Sequence, residues 1–165
     1  MTTRVRCYPG IFVDVEAGAG NVLAQVALTR NVRACIGVEL RRDHVSLGDR
    51  CMQQQLKQYP WLRKILLKQV NVRDGSMSRL PHICEATIVF DKIFLFEEDA
   101  KLIVLRELRA MSEARMIVAT SLFCPSHRSS CTEPCCKCWE LDHHIEVHVS
   151  WKATLHPLFI YRKKL

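Results

Sequence analysis

Hydrophobic and polar positions along this chain follow two different periods in turn. Short apolar runs rich in β-branched residues predict strands at residues 11–15, 32–38, 65–72, 86–90 and 116–120. Between them, apolar residues at helical spacing predict a helix after Gly20, residues 43–59 predict a polar helix, and residues 97–111 form a strongly helical run. The last of these helices begins with acidic residues and carries basic ones later, as the helix dipole favours.

The end of the chain has a different pattern. Residues 126–140 are rich in cysteine and serine and predict a loop, while two alternating segments, 144–151 and 158–161, predict strands. Pro157 should limit the start of the last strand. Because no helix of ordinary length separates these two strands, they should form an antiparallel hairpin at the sheet edge. The pattern predicts a single α/β domain over residues 1–165, with a doubly wound, Rossmann-like, seven-stranded sheet.

Composition and charge narrow the class of protein. Hydrophobic residues make up 48% and charged residues 25% of the 165 positions, which is typical of a globular chain. No apolar run reaches the roughly 18 residues of a membrane helix, and no leader pattern is visible, so we expect an intracellular protein without a membrane partner. The net charge of +7 favours a polyanionic partner, and it also fits an ordinary solvated basic surface.

Cysteine is concentrated near one segment. Five of the nine cysteines lie between Cys124 and Cys138, and three histidines stand in or just after that stretch (His127, His143 and His144). The spacing permits a structural zinc site but is not a regular paired arrangement, so a thiol-rich loop is the alternative, and we assign no metal ligand. Three other histidines are expected at the surface without a catalytic role (His82, His148 and His156).

The most informative string is VDVEAGAGNV, at residues 13–22. Asp14 ends a strand, and Gly18 and Gly20 precede a helix, so the backbone of this turn can approach a ligand closely. Glu39 ends the second strand. In a doubly wound sheet the ends of these two strands are neighbours, and an acid at the second tip can accept hydrogen bonds from both ribose hydroxyls.

Two features favour S-adenosylmethionine over a dinucleotide. Asp14 precedes the glycines, where it would attract the amine of the methionine part and repel a pyrophosphate. Glu16 stands where the dinucleotide fingerprint has its first glycine. Asp74 follows the third predicted strand and could accept from the adenine amine, although a plain Asp-Gly turn explains it equally well.

Several segments together resemble the disruptor-of-telomeric-silencing family, the non-SET histone lysine methyltransferases. The matching strings are VDVEAGAGNVLAQVAL with GVEL, ATIVFDKIFLF, RMIVATSLFCP, and HVSW followed by a proline and an aromatic residue. The kinetoplastid branch is one candidate placement. The resemblance implies the class I methyltransferase fold and S-adenosylmethionine as cofactor. It also implies a core lysine of histone H3 in nucleosomes as substrate, contact of the basic surface with DNA, and a nuclear location.

The resemblance also implies roles for individual residues. The cofactor-binding residues would be those of the glycine turn with the two later acids (Asp14, Glu16, Gly18, Gly20, Asn21, Glu39 and Asp74). The catalytic residues, which orient the reactants or line the lysine channel, would be Asp91, Thr120, Trp151 and Tyr161. The family's Asn-Asn-Phe signature falls on Asp91, Lys92 and Ile93, which is a departure.

A second departure concerns the amino end. Only 13 residues precede Asp14, so the family's capping segment would be largely absent and cofactor binding by this chain should be weak. Two other readings stay open. One is a class I methyltransferase that acts on arginine, a small molecule or nucleic acid, and the other is a non-catalytic nucleosome or nucleic-acid binding module with the same fold.

Overall fold

The computed structural model of the chain describes residues 9–124, 131–149 and 152–164. Its strands are β1 (Ile11–Val15), β2 (Ala34–Glu39), β3 (Ile65–Gln69), β4 (Ile88–Asp91), β5 (Met116–Ala119), β6 (Trp139–Val149) and β7 (Lys152–Lys163). Its α-helices are α1 (Asn21–Thr29), α2 (Arg42–Gln55), α3 (Glu98–Ala110) and α4 (Pro134–Cys138). Short 3-10 turns occupy Pro60–Lys64, Val72–Asp74, Met77–Arg79 and Ile93–Leu95.

All seven strands form one sheet in the order β3-β2-β1-β4-β5-β7-β6. The first five are parallel, and β7 is antiparallel to both β5 and β6. This arrangement confirms the α/β, doubly wound, seven-stranded sheet with an antiparallel edge hairpin. Because β1 is central and covered on both faces, all five of its residues are buried.

The alternation of side chains along β1 divides the core into two layers. Ile11, Val13 and Val15 face one layer, which also contains Leu108 of α3. Phe12 faces the other, with Leu23 of α1. Burial of each such side chain contributes roughly 1.5–3 kcal/mol, so the helices are held on opposite faces of the sheet. The carboxyl ends of the parallel strands are thereby left open at one edge.

The structure corrects three expectations about the last third of the chain. Residues 126–140 were expected to form a loop, but α4 and the start of β6 lie within this stretch, because Cys135, Cys136 and Trp139 are buried and give it an apolar face. Residues 125–130 lie outside the described part.

Pro157 does not limit the last strand, since it lies inside β7 opposite Glu146 of β6. Pairing of β7 with β5 extends only as far as Phe159, so the proline nitrogen, which cannot donate, faces no strand on that side. His156, expected at the surface, is also buried, with 5% of its area exposed, because this part of β7 packs against the segment after β5.

Candidate functional site

Three acidic side chains meet where β1, β2 and β4 end. Val15 of β1 pairs with Val38 of β2 on one side and with Asp91 of β4 on the other. Asp14 is therefore flanked by the strand tips that carry Glu39 and Asp91. All three side chains are buried. A shared edge of parallel strands thus gathers acids that are far apart in sequence.

The turn after β1 has an unusual backbone. Gly18 and Gly20 have φ values of 57° and 86°, in the left-handed region that glycine adopts easily. Glu16 also has a positive φ, 65°, which costs a non-glycine residue roughly 1–2 kcal/mol. Hydrogen bonds hold this conformation, from the N–H of Ala17 to the carbonyl of Val38 (3.0 Å) and from the N–H of Gly20 to that of Ala17 (2.9 Å). Maintained strain of this kind points to a ligand site.

Glu39 fixes the same turn from the neighbouring strand. One carboxylate oxygen accepts from the N–H of Gly18 at 2.8 Å, and the other accepts from the N–H of Arg41 at 2.8 Å. Each carboxylate oxygen has a second lone pair, so ribose hydroxyls can still bind there. Glu39 therefore positions the glycine turn as well as offering acceptors for a sugar.

Lys92 was not expected in the site, and it lies at the centre of the acids. Its Nζ is 2.9 Å from Oδ1 of Asp14 and donates to the carbonyl of Glu16 at 2.7 Å. It also lies 5.2 Å from the centre of the Phe90 ring. The sequence signal that could have indicated Lys92 as a site residue is its position directly after Asp91.

Burial leaves part of this acid cluster without hydrogen-bond partners. Oδ2 of Asp14 and both carboxylate oxygens of Asp91 have none among the described residues. Burial raises the pKa of Asp14 to about 6, although the Lys92 ammonium acts in the opposite direction. Burial, with the nearby charge of Asp14, raises the pKa of Asp91 to about 7. Burial and the charge of Glu39 also raise the pKa of Glu16.

This charge distribution suits a cationic ligand. Buried carboxylates without partners are unfavourable, and a nearby cation restores their ionised form. S-adenosylmethionine carries a sulfonium and an ammonium, and these cations could act on the carboxylate oxygens of Asp14 and Asp91 that have no described partner. A pyrophosphate, by contrast, would be repelled. The donor set therefore fits the methionine end of S-adenosylmethionine: Asp14 and the glycine turn could hold the amine, and Glu39 could hold the ribose.

A cavity of about 180 Å³ opens beside these acids. It is smaller than the roughly 300–1,000 Å³ of a complete ligand pocket, so it would hold one part of the cofactor, such as the adenine. Its walls are Glu16, Val38, Leu40, Val70, Asn71, Val72, Arg73, Phe96 and Glu97. The apolar side chains and the amide in this lining suit a flat, polar-edged ring.

Asn71, which the sequence analysis did not single out, lines this cavity, whereas Asp74, the residue predicted to contact the adenine, does not. Asn71 follows β3 after one residue and lines the cavity, while its side chain accepts from the N–H of Arg73 at 3.1 Å. Asp74 is exposed at the end of the turn and is not among the lining residues. Its role in adenine binding stays a prediction. The signal for Asn71 was its place as a polar residue two positions beyond the end of β3.

Two of the three residues predicted to line a lysine channel are buried, and the third lies outside the described residues. Thr120 is buried, and its hydroxyl accepts from the N–H of Phe94 at 3.2 Å. Tyr161 is fully buried, its hydroxyl accepts from the N–H of Phe123 at 3.0 Å, and the two rings stack with centres 4.0 Å apart. Trp151 lies outside the described residues. A channel role for Tyr161 would therefore require this packing to open.

His156 is a second residue that sequence reasoning missed. Its Nε2 lies 2.9 Å from the carbonyl oxygen of Thr120, and its ring meets that of Phe94 edge-on, with centres 5.7 Å apart. Phe94 itself is 55% exposed. These three residues join the segments after β4 and β5 to β7 beside the acid cluster. Strand alternation alone could not reveal a buried histidine at this position.

Solved structures resemble the fold at low sequence identity. M. capricolum TrmK in complex with S-adenosyl-homocysteine matches 94% of this chain with a TM-score of 0.60 and 7% identity. The methyltransferase domain of bacterial CtHen1 matches 93%, with a TM-score of 0.65 and 10% identity. TrmN from Thermus thermophilus matches 94%, with a TM-score of 0.65 and 15% identity.

The fraction of each solved chain that this chain covers differs among the three structures. This chain spans 63% of the TrmK chain, 89% of the CtHen1 domain and 45% of TrmN. No curated protein matches the chain in sequence. At these identities the similarity shows the class I methyltransferase fold.

The family comparison is more specific. A family profile described as "Histone methylation protein DOT1" matches residues 5–161. This range includes the glycine turn and all three acidic strand tips. Since the match covers nearly the whole sequence, the chain belongs to the DOT1 family of histone methylation proteins, whose cofactor is S-adenosylmethionine.

Proposed function

We propose that this domain transfers a methyl group from S-adenosylmethionine to a lysine of histone H3 in the nucleosome, in the nucleus. The observation that carries the proposal is the pair of buried carboxylates, Asp14 and Asp91, with oxygens that lack partners beside the glycine turn. Membership of the DOT1 family supports the histone substrate. The net charge of +7 supports contact with nucleosomal DNA.

The bound cofactor would supply an electrophilic methyl group on its sulfonium. The residues of this chain would do the positioning, which is the main requirement of such a direct displacement. Asp14 would hold the ammonium of the methionine part, and Glu39 would hold the ribose. Asp91, at the tip of the neighbouring strand, would orient the reacting groups through its unpartnered oxygens.

The entry of a lysine side chain fits the surface near Phe94. This ring is 55% exposed, and the backbone next to it is fixed by the hydroxyl of Thr120. The methylene groups of a lysine can pack along an exposed aromatic ring while the amine continues inward. An apolar approach lowers the lysine pKa and so favours the neutral, nucleophilic amine.

The test is transfer of a labelled methyl group to nucleosomes, free histones and RNA by the chain. We expect label in H3 of nucleosomes. Asp14→Asn should reduce the rate at least ~10-fold because it removes the charge that holds the ammonium. Asp49→Asn, at an exposed aspartate of α2, is the matched control and should leave the rate unchanged. Label that enters RNA, or free histones as readily as nucleosomes, would contradict the proposed substrate.

One observation favours a second candidate, a non-catalytic module of the same fold. The Lys92 ammonium already bonds to Asp14 and to the carbonyl of Glu16, so the chain supplies a cation of its own at the methionine end. Calorimetric titration with S-adenosylmethionine separates the candidates. Saturable binding that Asp14→Asn weakens supports the enzyme. Nucleosome binding without any cofactor binding supports the module.

A further inference from the structure

A cluster of thiols lies outside the acid site, where the segment after β5 meets α4. Cys124, Cys135 and Cys136 are buried, with 4%, 8% and 6% of their area exposed, and Cys131 is half-buried beside them. The sulfur atoms of Cys124, Cys131 and Cys136 all lie within 4.8 Å of one another. The segments that carry them therefore converge on one small volume.

The sulfur separations fit a shared metal ion. Four thiolates about 2.3 Å from a tetrahedral zinc ion are about 3.8 Å from one another, whereas a disulfide has its sulfurs about 2.05 Å apart. The sulfurs of Cys124 and Cys131 are 3.5 Å apart, and those of Cys135 and Cys136 are 3.9 Å apart. Both distances match the edge of a thiolate tetrahedron.

We propose that Cys124, Cys131 and Cys136 bind one structural zinc ion, with Cys135 as the fourth thiolate. The first three sulfurs already lie within 4.8 Å of one another. Cys135 would complete the tetrahedron after a small adjustment, because its sulfur is in contact with that of Cys136. Soft thiolate ligands in a tetrahedral arrangement select zinc over magnesium or calcium, which require oxygen ligands.

Basic side chains near α4 suit this assignment. Four thiolates around Zn²⁺ carry a net charge of −2, which is favourable only if cations stand close by. Nζ of Lys164 donates to the carbonyl of Cys136 at 2.7 Å, and Lys137 lies within the same short helix. These lysines provide positive charge close to the ligands.

The proposed site would join two parts of the sheet edge. Cys124 follows Phe123, whose N–H is bound by Tyr161 of β7. Cys136 lies in α4, which leads directly into β6. A metal ion between them fixes the segment that begins at Thr120 against the antiparallel hairpin. Its role is structural, and it does not depend on which substrate the domain methylates.

The experiment is metal analysis of the full chain, purified under reducing conditions without chelator. We expect about one zinc ion per chain. Cys136→Ser should lose the metal, and Cys51→Ser, an exposed cysteine of α2 far along the chain from the cluster, is the matched control and should keep it. A strong chelator should lower the melting temperature of the wild-type chain by on the order of 10 °C.

Cobalt substitution provides a test that needs no variant. Co²⁺ in a tetrahedral thiolate site absorbs strongly in the visible region and shows a sulfur-to-metal charge-transfer band, so the wild-type chain should develop both. These measurements remain decisive if Cys136→Ser does not fold. Wild-type protein that contains no zinc, takes up no Co²⁺ and has reactive thiols at these positions would overturn the proposal. A disulfide between Cys124 and Cys131 in protein purified under these same reducing conditions would also overturn it.

Discussion

Replacing Asp91 by asparagine should stabilise the free domain, by an amount that depends on pH. Asp91 is fully buried, neither of its carboxylate oxygens has a described partner, and burial raises its pKa to about 7. The folded state therefore holds a proton on this group more tightly than the unfolded state, where the pKa is near 3.8. The contribution of Asp91 to the free energy of unfolding must fall as the pH rises from about 4 to about 7.

The size of the effect follows from the two pKa values. The difference between the folded and unfolded pKa of Asp91 lowers the free energy of unfolding by about 4 kcal/mol at pH 7.5 and by about 2 kcal/mol at pH 5.5, because each unit of pKa difference corresponds to at most about 1.4 kcal/mol. Asparagine has the shape of the protonated carboxyl group but does not ionise. The stabilisation by Asp91→Asn should thus be about 2 kcal/mol larger at pH 7.5 than at pH 5.5.

Urea unfolding of the wild type and the variant at both pH values measures this difference. Asp49→Asn, at an exposed position, is the matched control and should change the stability by less than about 0.5 kcal/mol at either pH. A variant that is less stable than the wild type at pH 7.5, or whose stabilisation is the same at both pH values, would refute the reasoning. It would mean that the Asp91 carboxylate is solvated or paired in the folded chain.

Three further results are expected. If Asp91 must be ionised to bind S-adenosylmethionine, the affinity for this cofactor should fall about 25-fold when the pH is lowered from 7.5 to 5.5. An affinity that calorimetry finds to be independent of pH would count against a contact between Asp91 and a cationic group of the cofactor. Glu39→Ala should weaken cofactor binding by about 10–100-fold because the N–H of Gly18 in the glycine turn and the N–H of Arg41 lose a charged acceptor, whereas Glu140→Ala, at an exposed site, should not. Gly48→Ala should destabilise the fold by about 1–3 kcal/mol, because a Cβ at this position would lie 2.6 Å from the carbonyl oxygen of Ala19. An unchanged melting temperature would show that α2 can move away from the glycine turn.

Local patterns allowed much of the acid site to be located in advance. The strand at Ile11–Val15 was predicted with the bounds that the structure has, and the helix begins at Asn21, directly after Gly20. The contact of Glu39 with the turn follows from the doubly wound order, because the ends of β1 and β2 must be neighbours. These features depend on residues close together in sequence or on one rule of topology.

Other parts of the site could not be predicted, because they depend on contacts between distant segments. The bond between Lys92 and Asp14 joins positions 78 residues apart. The burial of His156 and the place of Pro157 inside β7 depend on where the pairing of β5 with β7 stops. Alternation along a strand gives no information about such an endpoint.

The sequence by itself determined the sheet class, the glycine turn, the acid at each of three strand tips and the family to which the chain belongs. The tertiary structure alone decided how these charges are balanced. Burial depth and side-chain proximity, which no local pattern encodes, leave carboxylate oxygens of Asp14 and Asp91 without described partners and bring Lys92 against Asp14. The same long-range packing brings the sulfurs of Cys124, Cys131 and Cys136 together.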